Sequence, residues 1–146
     1  MIELKTILLV EDNPHDVELT LEALTEYNLA NNLVSVSNGV QAMAYLCCEG
    51  EFEGRNTGNP AVILLDIKMP FMDGIETLEA IRKNKKLKHI PVVMLTSSRE
   101  DPDLKKCYAL GANAYVVKPV HFREFMEAVK HIGIFWAVLN EPPAKN

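Results

Sequence analysis

An aspartate, Asp66, stands at the end of an uninterrupted apolar run, residues 61–65. The run is aliphatic and β-branched, which is typical of a strand buried on both faces of a parallel sheet. Such sheets bind ligands beyond the carboxyl ends of their strands, where Asp66 would lie. Aspartate is also common at the start of a turn, and Pro70 and Gly74 follow, so Asp66 alone fits either role.

Three further apolar runs end in charged or hydroxyl-bearing side chains. The runs and the residues after them are 7–10 before Glu11 and Asp12, 92–95 before Thr96 and Ser97, and 114–117 before Lys118. Because the carboxyl ends of parallel strands meet at one edge of a sheet, we expect these side chains to converge around Asp66. This convergence favours a chemical site over a simple turn.

The predicted cluster is rich in carboxylates. Three neighbouring carboxylates raise one another's pKa by repulsion unless a cation shares the site. Oxygen ligands without histidine or cysteine suit a hard ion such as Mg²⁺. The sequence therefore predicts a carboxylate site that holds a hard divalent cation at this edge of the sheet.

The elements that position this cluster are five strands alternating with helices, which predicts an α/β fold with a doubly wound parallel sheet. The second strand is predicted at residues 33–36. The helices are predicted from Pro14 to near Tyr27, after Gly39, around residues 75–81, from Asp101-Pro102 to Gly111, and over about 121–140. The 146 residues suit one domain, with a short tail at 141–146.

The order and spacing of the chemical residues resemble the receiver domain of two-component response regulators over roughly residues 4–132. The resemblance implies the flavodoxin-like strand order 2-1-3-4-5 and a cis peptide bond before Pro119. It also implies these roles: Asp66 as phosphoacceptor; Asp12, Asp66 and the Lys68 backbone carbonyl as Mg²⁺ ligands, with Glu11 acting through water; Thr96 as switch hydroxyl; Tyr115 as switch aromatic; and Lys118 as the phosphate-binding lysine. An ordinary strand-edge aromatic is the alternative for Tyr115.

The similarity extends to short single-domain regulators that work beside bacterial phytochromes, through the loop at residues 50–60 and the sequence Ile134-Phe135-Trp136. It implies a phosphoacceptor switch that takes its phosphoryl group from a sensor histidine kinase, with a phytochrome as the candidate kinase. We expect output by contact with another protein, because no helix-turn-helix or catalytic domain follows the receiver.

Composition limits the other partners. The net charge of −5 argues against broad contact with nucleic acid, whose phosphates select basic surfaces. No apolar stretch approaches the length of a membrane span, and the first residues lead directly into a strand without a signal peptide. We therefore expect a cytoplasmic protein without membrane or nucleic-acid contact.

The end of the predicted C-terminal helix becomes apolar all round. Ile134, Phe135 and Val138 follow Gly133 on the side opposite the stripe that must face the sheet. Exposed apolar patches usually mark interaction sites, and the commonest oligomer is a symmetric pair. We expect a homodimer through these three residues. The alternative is that the tail 141–146 folds back over them.

Two other functions use the same fold or chemistry. An aspartyl-phosphate phosphatase also uses a strand-end aspartate and Mg²⁺, but it commonly has a second aspartate two residues later, where this chain has Lys68. A long cation there also predicts slow self-dephosphorylation, so we expect no turnover of an external substrate. A connector protein that is not phosphorylated is the second alternative.

Overall fold

Five parallel strands form one sheet in the computed structural model, which describes residues 6–25, 33–55 and 58–134. The strands are β1 (Ile7–Val10), β2 (Leu33–Val36), β3 (Val62–Asp66), β4 (Val92–Thr96) and β5 (Ala114–Val117). Their order across the sheet is β2-β1-β3-β4-β5. The predicted doubly wound topology is confirmed.

The first four helices connect successive strands, and the fifth follows β5. The helices are α1 (Pro14–Thr25), α2 (Gly39–Leu46), α3 (Gly74–Lys83), α4 (Asp103–Ala109) and α5 (Phe122–His131), with a short 3₁₀ turn at Gly50–Phe52. The predicted end of α1 near Tyr27 lies outside the described residues. In the described ranges, no helix combines the length and the apolar character that crossing a membrane requires.

Alternate residues of each central strand face two different cores. Leu8 and Val10 of β1 pack with α2, α3 and α4, whereas Ile7 and Leu9 pack with α1 and α5. All four are buried, and each contributes roughly 1.5–3 kcal/mol of hydrophobic stabilisation. A slip of one residue would exchange the two faces, so the two cores fix the register of the sheet.

This register aligns the strand ends. Val10 lies opposite Leu65, Asp66 opposite Leu95, and Thr96 opposite Val117. The residues that follow β1, β3, β4 and β5 therefore meet at one edge, as the sequence predicts.

The prediction of one helix from 121 to 140 is wrong at Gly133. Helix α5 ends at His131, and Gly133 has a φ of 80°, in the left-handed region that favours glycine. The Gly133 amide donates to the carbonyl of Lys130 at 3.1 Å, and the Ile134 amide donates to that of Val129 at 2.9 Å. These two bonds form the terminating turn that closes many helices. Residues 135–146 lie outside the described residues.

Ile134 does not project away from the sheet as predicted. Its side chain is half-buried and packs against the core beneath α1 and α5, because the turn at Gly133 directs the chain back toward that core. Phe135 and Val138 lie outside the described residues, so the dimer stays a prediction.

Candidate active site

The loop after β3 holds Asp66 at the edge of the sheet. Asp66 is only 4% exposed, and the Gly74 amide donates to the Ile67 carbonyl at 2.8 Å. A Cβ atom at Gly74 would collide with the backbone oxygen of Asp66, so only glycine allows this approach. Helix α3 then starts at a capping box, in which Asp73 accepts from the Glu76 amide at 2.9 Å and Glu76 accepts from the Asp73 amide at 3.2 Å.

A lysine from the end of β5 lies among three carboxylates. The Lys118 Nζ atom lies 3.1 Å from Glu11 Oε1, 3.2 Å from Asp16 Oδ2 and 3.3 Å from Asp66 Oδ2. The Lys118 amide donates to the Thr96 carbonyl at 2.7 Å, and the following peptide bond to Pro119 is cis, as the resemblance implied. With all groups ionised, one positive charge faces three negative charges.

The carboxylates form an oxygen-only cluster that fits a divalent cation. One oxygen from each of Glu11, Asp12 and Asp66 lies within 4.8 Å of the others. Glu11 and Asp66 are buried, while Asp12 is exposed, so an ion there would keep contact with water. Hard ions of the Mg²⁺ class favour this combination of carboxylates and water. Lys68, whose carbonyl is the predicted further ligand, lies two residues after Asp66 and is exposed.

Burial and the excess negative charge together shift two pKa values. The pKa of Glu11 rises to about 7, first because the side chain is buried and then because Asp66 accepts a hydrogen bond from its protonated form and repels its ionised form. Burial opposes the charge of Lys118, but the carboxylates around it more than offset that effect and raise its pKa. The charge balance at the site therefore favours the addition of positive charge, as either a proton or a cation.

Thr96 is brought to the same edge but is turned toward α4. Its side chain is buried, and its hydroxyl lies 3.0 Å from the Ser98 carbonyl oxygen and 3.1 Å from Asp101 Oδ2. Tyr115 lies within β5, half-buried against the core, and its ring meets that of Tyr108 edge to face at 6.4 Å between centroids.

The family model of the response regulator receiver domain matches residues 7–130 of the chain. This match covers all five strands and all the residues of the cluster. The chain is a response regulator receiver.

Relatives agree with this assignment along nearly the whole chain. Response regulator Rcp1 of Synechocystis is 39% identical over 132 residues, which are 90% of this chain and 88% of Rcp1. The solved structure of the bacteriophytochrome response regulator RtBRR is 57% identical, with a TM-score of 0.86, and the match covers 97% of this chain and 85% of that one.

Two solved structures show relatives in chemically informative states. The phosphorylated cyanobacterial phytochrome response regulator RcpA is 40% identical, with a TM-score of 0.74 over 92% of this chain and 94% of its own. The Mn²⁺-bound form of Rcp1 is 38% identical, with a TM-score of 0.72 over 91% of this chain and 94% of its own. The receiver is thus a phosphoacceptor of the two-component class, similar to regulators of phytochromes.

Sequence reasoning missed two residues of the receiver site. Asp16 is not among the residues predicted to converge around Asp66, yet its carboxylate contacts Lys118. The signal was available, because Asp16 follows Asp12 by four residues on a helix that starts at the carboxyl end of β1. Asp101 is predicted only to lie at the start of a helix, and its contact with Thr96 depends on how the loop between β4 and α4 folds.

Proposed function

We propose that the receiver takes a phosphoryl group from a phosphohistidine of a sensor kinase onto a carboxylate oxygen of Asp66. The Asp66 oxygen forms a bond to phosphorus as the nitrogen–phosphorus bond breaks, and histidine leaves with its electron pair. The observation that supports this most strongly is the position of the buried Asp66 carboxylate, 3.3 Å from Lys118 and within the carboxylate cluster.

The donor set supports Mg²⁺ as the natural ion, held by Asp12, Asp66 and the Lys68 carbonyl, with Glu11 acting through water. When bound, the ion would offset the charge of the phosphoryl oxygens. Lys118 can exchange a carboxylate partner for one phosphoryl oxygen, because its ammonium group already reaches Asp66. The hydroxyl of Thr96 can bind another oxygen once it leaves its contacts near α4, and Tyr115 can then move toward the space that Thr96 vacates.

We infer that the receiver does not turn over an external substrate. Two residues after Asp66, where aspartyl-phosphate phosphatases commonly have a second aspartate, it has the exposed side chain of Lys68. Lysine at neutral pH cannot accept a proton from water, so it is a poor general base. This supports self-dephosphorylation that is slow and a signal that lasts.

The kinase partner that fits best is a phytochrome, since RtBRR and RcpA are described as bacteriophytochrome and phytochrome response regulators. Such a kinase makes its phosphohistidine from ATP, which supports a cytoplasmic location. The net charge of −5 supports output to a protein and not to nucleic acid.

We propose a homodimer as one form of this output. Because Ile134 is partly covered by its own core, the contact would depend mainly on Phe135 and Val138. Sedimentation of the wild type and of Phe135→Lys, each at tens of micromolar, measures how much dimer each protein forms. A wild type that stays monomeric, with and without phosphorylation, would contradict the dimer.

The proposed reaction is tested by weighing the intact protein after incubation with acetyl phosphate and Mg²⁺. We expect the wild type to gain the mass of one phosphoryl group and Asp66→Asn to gain none, while its circular dichroism stays that of a folded receiver. Asp103→Asn, which removes a carboxylate from α4 outside the cluster, is the matched control and should be labelled like the wild type.

Each other result supports a different function. Labelling of Asp66→Asn at the wild-type rate would move the acceptor to another residue. Continuous release of phosphate without an adduct would support the phosphatase, and no adduct in the wild type would support the connector.

A further inference from the structure

We propose that Asp101 is a positioning residue that holds the switch hydroxyl of Thr96 away from Asp66 until the receiver is phosphorylated. This inference rests on the proposed function. The observation behind it is the contact between Thr96 Oγ1 and Asp101 Oδ2 at 3.1 Å, between a strand-end hydroxyl and a carboxylate from the loop before α4.

The contact is strong because of where it lies. Thr96 is only 1% exposed, so water does not compete for its hydroxyl. The hydroxyl has one hydrogen and two neighbouring acceptors, the Ser98 carbonyl at 3.0 Å and the Asp101 carboxylate at 3.1 Å. An ionised carboxylate accepts a hydrogen bond more strongly than a neutral carbonyl does. Asp101 therefore fixes the direction in which the hydroxyl points.

The same carboxylate starts α4. Asp101 Oδ1 accepts from the Asp103 amide at 2.9 Å, and the Asp101 carbonyl accepts from the Leu104 amide at 3.1 Å. Asp101 thus connects the end of β4 to the first turn of α4. Movement of Thr96 toward Asp66 therefore breaks the link between β4 and this carboxylate, while the bond from the Asp103 amide remains available.

Phosphorylation and Asp101 compete for one hydroxyl. A Thr96 hydroxyl that binds a phosphoryl oxygen cannot donate its single hydrogen to Asp101 at the same time. Loss of the contact with Asp101 is therefore part of the cost of reaching the phosphorylated conformation. Removing the Asp101 acceptor should shift the equilibrium toward that conformation before any phosphoryl group is present.

Loss of the contact between Thr96 and Asp101 can affect the protein surface through α4. This helix carries Tyr108, which is exposed and whose ring packs on Tyr115. Breaking the link between β4 and the first turn of α4 changes the support of an aromatic pair that lies where a partner can contact it. Asp101 would therefore set how readily the receiver signals without taking part in the transfer of phosphorus.

The test uses beryllofluoride, a phosphoryl mimic that binds an aspartate with Mg²⁺, and measures its apparent Kd by titration calorimetry. Asp101→Ser retains a side chain that caps helices but is one bond shorter and uncharged. We expect its Kd to fall about tenfold, and that of Asp101→Asn, which keeps the length but not the charge, about threefold. Asp103→Asn, the matched loss of charge on the same helix, should change it less than about twofold.

A double variant separates positioning from general effects on the fold. In the Thr96→Ala background, Asp101→Ser should leave the Kd within about twofold of Thr96→Ala alone, because the hydroxyl that Asp101 holds is absent. An equal gain with and without the Thr96 hydroxyl, or an equal gain from Asp103→Asn, would overturn the inference. If Asp101→Ser does not fold, Asp101→Asn carries the same comparison.

Failure of the proposed function gives a different result. A wild type that binds no beryllofluoride at all would overturn both the function and the role of Asp101. A wild type that binds it, with unchanged affinity in Asp101→Ser and Asp101→Asn, would overturn only the role of Asp101.

Discussion

Two long cationic side chains lie at opposite ends of the parallel strands, and their surroundings differ in charge. The carboxyl edge is the side of the sheet where the strands end, and the amino edge is the side where they begin. Lys118, at the carboxyl edge, faces carboxylates from Glu11, Asp16 and Asp66. Arg82, at the amino edge, donates to neutral oxygens, which belong to the backbone of Lys88, Ile90 and Gly111 and to the side chain of Asn113. Lys118 faces excess negative charge, whereas the acceptors that Arg82 binds within the described residues are all neutral.

The difference distinguishes a reactive edge from a structural one. The guanidinium of Arg82 makes five hydrogen bonds at 2.8–3.1 Å, one for each of its N–H groups, and needs no further ligand, although burial lowers its pKa. Around Lys118 the negative charge exceeds the positive, so the edge can still bind a cation or a proton. Satisfied hydrogen bonding stabilises the fold, while unbalanced charge leaves a site able to bind and react.

The largest effect that we expect is on stability, from Arg82→Met. The change leaves the carbonyls of Lys88, Ile90 and Gly111 short of donors at the start of β4 and β5, so unfolding should become easier by about 2–4 kcal/mol. Chemical denaturation measures this. Lys83→Met, which removes a neighbouring cation that is 74% exposed and pairs with Glu79 on the same helix, should change stability by less than about 0.5 kcal/mol.

If Arg82→Met and Lys83→Met had equal effects, the amino edge would not depend on the guanidinium. If Arg82→Met folded but Asp66 was no longer phosphorylated, the hydrogen bonds of Arg82 would affect the reactive edge as well. The distinction between a structural and a reactive edge would then be wrong.

A smaller effect is expected from Glu11→Gln at the reactive edge. The folded-state pKa of Glu11, about 7, lies above its unfolded value of 4.5, so the folded protein binds the proton more tightly. This tighter binding of the proton stabilises the folded protein fully below pH 4.5, and the stabilisation is lost as the pH rises through 7. Glutamine cannot ionise, so without divalent ions the variant should be more stable than the wild type at pH 8, by roughly 1–3 kcal/mol, and similar at pH 4.

Thermal or urea unfolding at both pH values measures this difference, and Glu22→Gln on the exposed face of α1 is its control. Mg²⁺ should stabilise the wild type more than Glu11→Gln, since it offsets the ionised carboxylate. If the stability of Glu11→Gln changed with pH as that of the wild type does, ionisation of Glu11 would not affect the stability of the folded protein.

The smallest effect concerns Lys68, an exposed cation beside the reactive edge. Lys68→Asn supplies a short amide that can orient water toward the acyl phosphate, so the phosphoryl lifetime should shorten about two- to fivefold, with stability unchanged. The decay of the labelled mass after removal of the phosphodonor measures it. An equal or longer lifetime would contradict the inference that Lys68 limits hydrolysis.

Local patterns in the sequence predict most of this architecture. Apolar runs locate the five strands, and the charged residues at their ends locate the site, because parallel strands place all their carboxyl ends together. Asp16 was missed because it lies in the first turn of α1, whereas the prediction collects only residues at the ends of strands. The end of α5 was missed for another reason: Gly133 can continue a helix or end it, and its φ decides which.

The turn at Gly133 also has a consequence for engineering. The amides of Gly133 and Ile134 satisfy carbonyls at the end of α5, so the helix is closed before residue 135 by its own backbone. A fluorescent protein or a kinase-binding peptide joined after Ile134 would not need to continue a helix in register. The receiver can thus be fused to other proteins as a module, because its own backbone turn fixes the geometry of the junction.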